Sequence, residues 1–159
     1  ILFDGEKYRF NKAINHTWDR DTFDAFLQDN RETPEDLTLL AEVLALAQGQ
    51  YMADANLDWA ISDRLRYNEL IQGKMVELAN AYLKNGQAND CVQVARQILK
   101  FDSLGETGHV LLLQAYAAQH DQVNIVRHYQ EYEKALDAEL GIRPSEKFIH
   151  LYDNLIRSV

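Results

Sequence analysis

The sequence predicts an all-α fold: a right-handed repeat of stacked helix pairs, about seven helices in all, preceded by a short N-terminal β-hairpin. Three observations predict it. Two stretches offset by 34 residues carry the same pattern, with Leu78, Tyr82, Cys91 and Lys100 becoming Leu112, Tyr116, Ile125 and Lys134. Apolar residues recur at the i, i+3, i+4, i+7 spacing of a helix with one buried face. Only seven Gly and two Pro interrupt 159 residues, which permits long helices.

The elements follow in chain order. Ile1-Leu2-Phe3, Asp4-Gly5 and Glu6-Lys7-Tyr8-Arg9-Phe10 read as two short strands around a tight turn, since Gly accepts positive φ without steric cost. A lone hairpin is marginal in water, so residues 1–11 are expected to belong to a sheet continued upstream. Asp19 is placed to cap a first helix with Phe23, Phe26 and Leu27 inward. Thr33-Pro34-Glu35-Asp36 is a helix start, with a capping Thr, Pro in the first turn and acids at the positive end of the dipole. Leu37, Leu40, Ala41, Leu44 and Ala47 form its stripe, and Gly49 ends it.

After a loop holding Tyr51 and Met52, a long helix is predicted from about Asp58 to Asn85, stopped at Gly86. Helices from about Gln87 to Phe101, Glu106 to His120 and Asp121 to Leu140 follow, the first lined by Cys91, Val94, Ala95 and Ile98. Gly141 supplies a left-handed cap and Pro144 blocks continuation. Pro144 or Ser145 then starts a last helix burying Phe148, Leu151, Tyr152 and Leu155.

Composition bounds the function. An apolar content of 47% suffices for one continuous core, and no stretch approaches a membrane span. The single Cys91 forms no intramolecular disulfide, which fits a cytoplasmic protein. Twenty-five acidic against 16 basic residues give a net charge of −9. The nearest thing to a basic cluster is Arg64 with Arg66, so these residues are not expected to hold a nucleic-acid polyanion.

The 34-residue offset is the period of the tetratricopeptide repeat, whose two helices stack because neither buries its apolar face alone. Within that frame three segments carry a closer likeness. They are Tyr8-Arg9-Phe10 with Trp18-Asp19-Arg20-Asp21-Thr22-Phe23, the helix from Trp59 through Leu70, and Tyr129 to Ser145 with its Glu139-Leu140-Gly141-Ile142-Arg143-Pro144 corner. Together they resemble the bacterial transcriptional activator domain of antibiotic-regulatory-protein-type transcription regulators. The resemblance implies that residues 1–11 are the last hairpin of an upstream winged helix-turn-helix and residues 12–159 the tetratricopeptide-like domain. It implies a non-catalytic regulatory and protein-interaction role: dimerisation, contact with the transcription machinery, or coupling to a sensor module. DNA would be reached only through the missing upstream domain. A general tetratricopeptide peptide-binding scaffold is the alternative. The corner itself reads as mechanical, with Leu140 seating the helix end. His120-Asp121 stands where the family has a Gly-containing turn, and Cys91 where it has Ala.

Chemistry is expected to be absent: no enzyme, no cofactor, no metal. His128 with Glu131, and His150 with Asp153, each offer two side chains on one helix face, short of the three or four a metal needs. Cys91 lies on an apolar stripe with Gln87 and Asp90 nearby, poor company for a reactive thiolate. Asp19, Asp21 and Asp24 read as capping acids. Gly105 and Gly108 lack the rest of a phosphate loop, and Tyr82, Tyr116, Tyr129 and Tyr132 read as packing. The one surface singled out is a candidate protein-interaction groove formed by Asn80 and Lys84 of one repeat and Gln114 of the next. Tetratricopeptide adaptors hold a C-terminal carboxylate with Asn and Lys at matching places, although Ala117 and Ala118 leave the set incomplete here.

Overall fold

A computed structural model describes Leu2–Phe3, Tyr8–Arg9, Pro34–Leu46 and residues 58–158. The predicted helix behind Asp19, the Thr33 cap, Ala47, Gly49 and the loop of Tyr51 and Met52 lie outside these residues, as do Asp4 and Gly5. Six helices stand among the described residues: α1 Pro34–Leu46, α2 Asp58–Lys84, α3 Ala88–Phe101, α4 Glu106–Ala118, α5 Gln122–Leu140 and α6 Glu146–Ser158. Strands β1 Leu2–Phe3 and β2 Tyr8–Arg9 pair antiparallel, with Leu2 opposite Arg9 and Phe3 opposite Tyr8.

Each helix packs on the next, and α4 also touches α2 and α6. The core runs continuously from Leu40 and Leu44 of α1 through Met75 and Leu78 of α2, Cys91 and Ile98 of α3, Leu112 and Leu113 of α4, Ile125 and Leu136 of α5, to Phe148 of α6. The inward residues predicted for α3, Cys91, Val94, Ala95 and Ile98, are all buried. In α1, Leu40 and Leu44 are buried while Leu37 and Ala41 are half-buried. On α6 only Phe148 is fully enclosed; Leu151, Tyr152 and Leu155 are half-buried.

The 34-residue offset reappears as backbone geometry. The turn from α2 to α3 donates Gly86 N–H to Leu83 O (3.1 Å) and Gln87 N–H to Tyr82 O (2.8 Å). The turn from α4 to α5 donates His120 N–H to Ala117 O (3.0 Å) and Asp121 N–H to Tyr116 O (2.9 Å). These bonds correspond residue for residue, and both turns hold one residue in the left-handed region, Gly86 at φ 74° and His120 at φ 56°. A side chain at positive φ is strained, whereas glycine is not. His120→Gly is therefore expected to stabilise the chain by about 0.5–1 kcal/mol, read as a raised midpoint in urea at unchanged slope. His120 is exposed, so no packing is lost with its ring.

Helix limits fall within a residue or two of those predicted. Asp121 is a cap and not a helical residue: its carboxylate accepts from Asn124 N–H at 3.0 Å, and these bonds hold it below the usual carboxylate range. Ser145 caps α6 by accepting from Phe148 N–H at 3.2 Å, and its hydroxyl donates to Glu106 Oε1 at 2.7 Å, tying the last helix to the start of α4. Gly141 ends α5 at φ 66°. The expected seat at Leu140 is a correction. Leu140 is 56% exposed, and the residue that seats the end of α5 is Leu136, 4% exposed. The same four-residue step from Tyr132 to Leu136 keeps both side chains buried, so the packed face of α5 ends one turn before Gly141.

Candidate functional site

Two groups of residues are candidates: the helix face singled out in sequence, and a buried polar cluster that sequence reasoning passed over. Asn80 and Lys84 are exposed on the last two turns of α2, and Gln114 is half-buried on α4. Asn80 and Gln114 occupy corresponding positions of two helices in contact. Lys84 corresponds to Ala118, so cationic charge is present in only one unit. Asn80 Nδ2–H is bonded to Val76 O at 2.9 Å, which leaves its amide oxygen available. Asn80 and Lys84 thus face solvent, while Gln114 is only partly open to it.

The residues weighed for catalysis or metal binding take other roles. Cys91 is fully buried, its Sγ 3.9 Å from Leu111 O, and burial pushes the thiol up to about 11. Such a thiol is not a nucleophile near neutral pH. Gly108 lies under Leu99 as a packing contact of α3 with α4. Tyr82 is raised by burial and, secondarily, by the Asp90 charge; it borders a cleft of about 440 Å³ between α1 and the end of α2. Among the described residues, Glu42 is the one carboxylate lining that cleft. Among the described residues no three His, Cys, Asp or Glu side chains converge as a metal site. His150 and Asp153 are both exposed, and His128 is hydrogen-bonded to another histidine.

That histidine is His109, 7% exposed on α4. Its Nδ1 lies 2.9 Å from His128 Nε2, and its Nε2 lies 3.0 Å from Ser103 O. A carbonyl only accepts, so His109 carries its proton on Nε2 and accepts at Nδ1 from His128 Nε2–H. Tyr132 stacks on His109 with ring centroids 3.8 Å apart and donates its hydroxyl to Leu104 O at 3.2 Å. Tyr116 meets the His128 ring edge-on at 6.2 Å and accepts from Arg96 at 3.4 Å. Burial lowers His109, opposed by the Ser103 bond and by Asp102 and Glu106. Burial, then His109 and Arg96, push His128 down to about 4. Both rings are thus neutral near pH 7.

The repeat register contains the signal for this cluster. Counted back by 34 residues, His109, His128 and Tyr132 fall on Met75, Val94 and Ile98, all buried apolar residues. A histidine on a register-core position must find a polar partner, and a second one on the facing helix supplies it.

Comparison with known families gives a match over most of the chain. The model of the bacterial transcriptional activator domain matches residues 21–156. Neither the curated proteins nor the solved structures contain a match to the chain.

Proposed function

The chain belongs to the bacterial transcriptional activator domain family, and on that premise we propose that it is the non-catalytic, protein-interaction part of a transcription activator. The match over residues 21–156 is the observation that carries the reading. The all-helical core and the corresponding turns support it, because stacked helix pairs make extended surfaces and few enclosed clefts. In this reading the helix pairs form a tetratricopeptide-like array that brings activator copies together, contacts the transcription machinery, or relays a signal from a sensor module. Asn80, Lys84 and Gln114 contribute to the contact face. The chain works in the cytoplasm without a cofactor, and residues 1–11 close an upstream winged-helix domain through which DNA is reached.

The test uses the purified chain with purified bacterial RNA polymerase holoenzyme, read by biolayer interferometry, with light scattering for self-association. Binding or dimerisation is expected, weakened at least tenfold by the combined N80A, K84E and Q114A substitutions. Circular dichroism should leave the variant's helicity unchanged, since all three side chains lie outside the core. Capture of free C-terminal peptides, with neither polymerase binding nor self-association, would replace this reading with that of a peptide-binding adaptor.

A further inference from the structure

We propose that the His109–His128 pair is a proton-operated latch between α4 and α5: it stays shut with no proton or one proton added, and opens when both rings are charged. The geometry dictates the steps. In the neutral pair one N–H lies between the rings, donated by His128 Nε2 to His109 Nδ1, while His109 Nε2–H is held by Ser103 O. An added proton can settle on His109 Nδ1 if His128 moves its own proton to Nδ1 and accepts at Nε2. The inter-ring bond survives with its direction reversed, and the Ser103 bond is untouched. A second proton leaves two N–H groups facing each other across 2.9 Å with no acceptor between them. That arrangement is electrostatically and sterically untenable, so the rings must separate.

The surrounding groups bias the order. Asp102, at the end of α3, and Glu106, in the first turn of α4, favour charge on His109. Arg96 of α3 disfavours it on His128, against which Tyr116 of α4 also packs. Tyr132 of α5 covers the His109 ring and stacks on it. Through Tyr132, whose ring meets Phe148 at 4.9 Å, separation would reach the seat of α6. Both histidines are lowered in the folded chain relative to an ordinary histidine, so the unfolded chain binds more protons as pH falls. Stability is therefore full above about 6.5 and is lost as pH drops toward about 4. Coupled rings of this kind titrate as a pair, in two macroscopic steps.

The experiment is a ¹⁵N-histidine NMR titration of the chain from pH 7.5 to 3.5, with amide exchange followed in α4 and α5. The expected result is a first proton taken up with exchange protection intact, and a second accompanied by loss of protection. H128Q, whose amide can donate to His109 Nδ1 without titrating, should move the opening at least one pH unit lower. Simultaneous titration of both rings near 6.5 with protection unchanged would overturn the latch. So would an H128Q chain that opens at the wild-type pH. If H128Q does not fold, the wild-type titration decides alone.

Discussion

Phe148→Ala is expected to cost about 3–5 kcal/mol of stability, the range for emptying a fully enclosed aromatic site. Phe148 is 0% exposed and is the only residue of α6 among the buried core. Its ring lies 5.9 Å from Tyr129 and 4.9 Å edge-on from Tyr132, and Tyr129 stacks in turn on Tyr152 at 4.0 Å. Truncation therefore leaves a cavity walled by rigid rings that cannot collapse into it. For a chain of this length the loss corresponds to a fall in melting temperature of roughly 10 °C. Because α6 is otherwise held by half-buried side chains and by Ser145 on Glu106, amide exchange should accelerate first in α6. Phe148→Leu keeps most of the volume and is expected to lose less than half as much. Equal losses for Ala and Leu would mean that ring stacking, not volume, seats the helix.

The second large effect is expected at Gly108, where α4 meets α3. A Cβ there would stand 2.6 Å from Leu99 Cδ2, 2.8 Å from Leu99 Cγ and 3.4 Å from Ile98 Cγ2. Glycine at this position lets α3 and α4 approach closely. Gly108→Val is expected to destabilise by about 2–3 kcal/mol, because a branched side chain forces α3 away over its whole contact. Gly108→Ala is the control. Its single methyl meets the same Leu99 atoms, so it is expected to destabilise in the same direction but by less than Val. Urea unfolding of the three chains measures both; a Val variant as stable as wild type would show that the helices can part at no cost.

These two sites differ in how far they could be read in advance. Phe148 lies on a helical stripe that the apolar spacing displays directly. Gly108 was recognisable only as a glycine without a phosphate-loop context, since its role depends on which residue of α3 faces it. The same division runs through the candidate surfaces. Asn80, Lys84 and Gln114 follow from register alone, but Asn80's bond to its own helix does not. Helical spacing sets His128 on one face with Glu131, whereas its hydrogen-bond partner, His109, is on the helix before it. Spacing along one helix reports neighbours on that helix; it does not report the rotation and stagger of the next.

What the sequence determined by itself is the periodic and local part: all-helical class, the 34-residue unit, the stops at Gly86 and Gly141, and the inward stripes. These follow from backbone stereochemistry and from an apolar spacing that repeats within a few residues. Tertiary structure decided which stripe residues meet. It buried Leu136 in place of Leu140, tied Ser145 to Glu106, and set His109 and His128 within hydrogen-bonding distance. Those contacts depend on how neighbouring helices rotate and slide to fill their shared interior, a three-dimensional packing condition that no one-dimensional spacing contains.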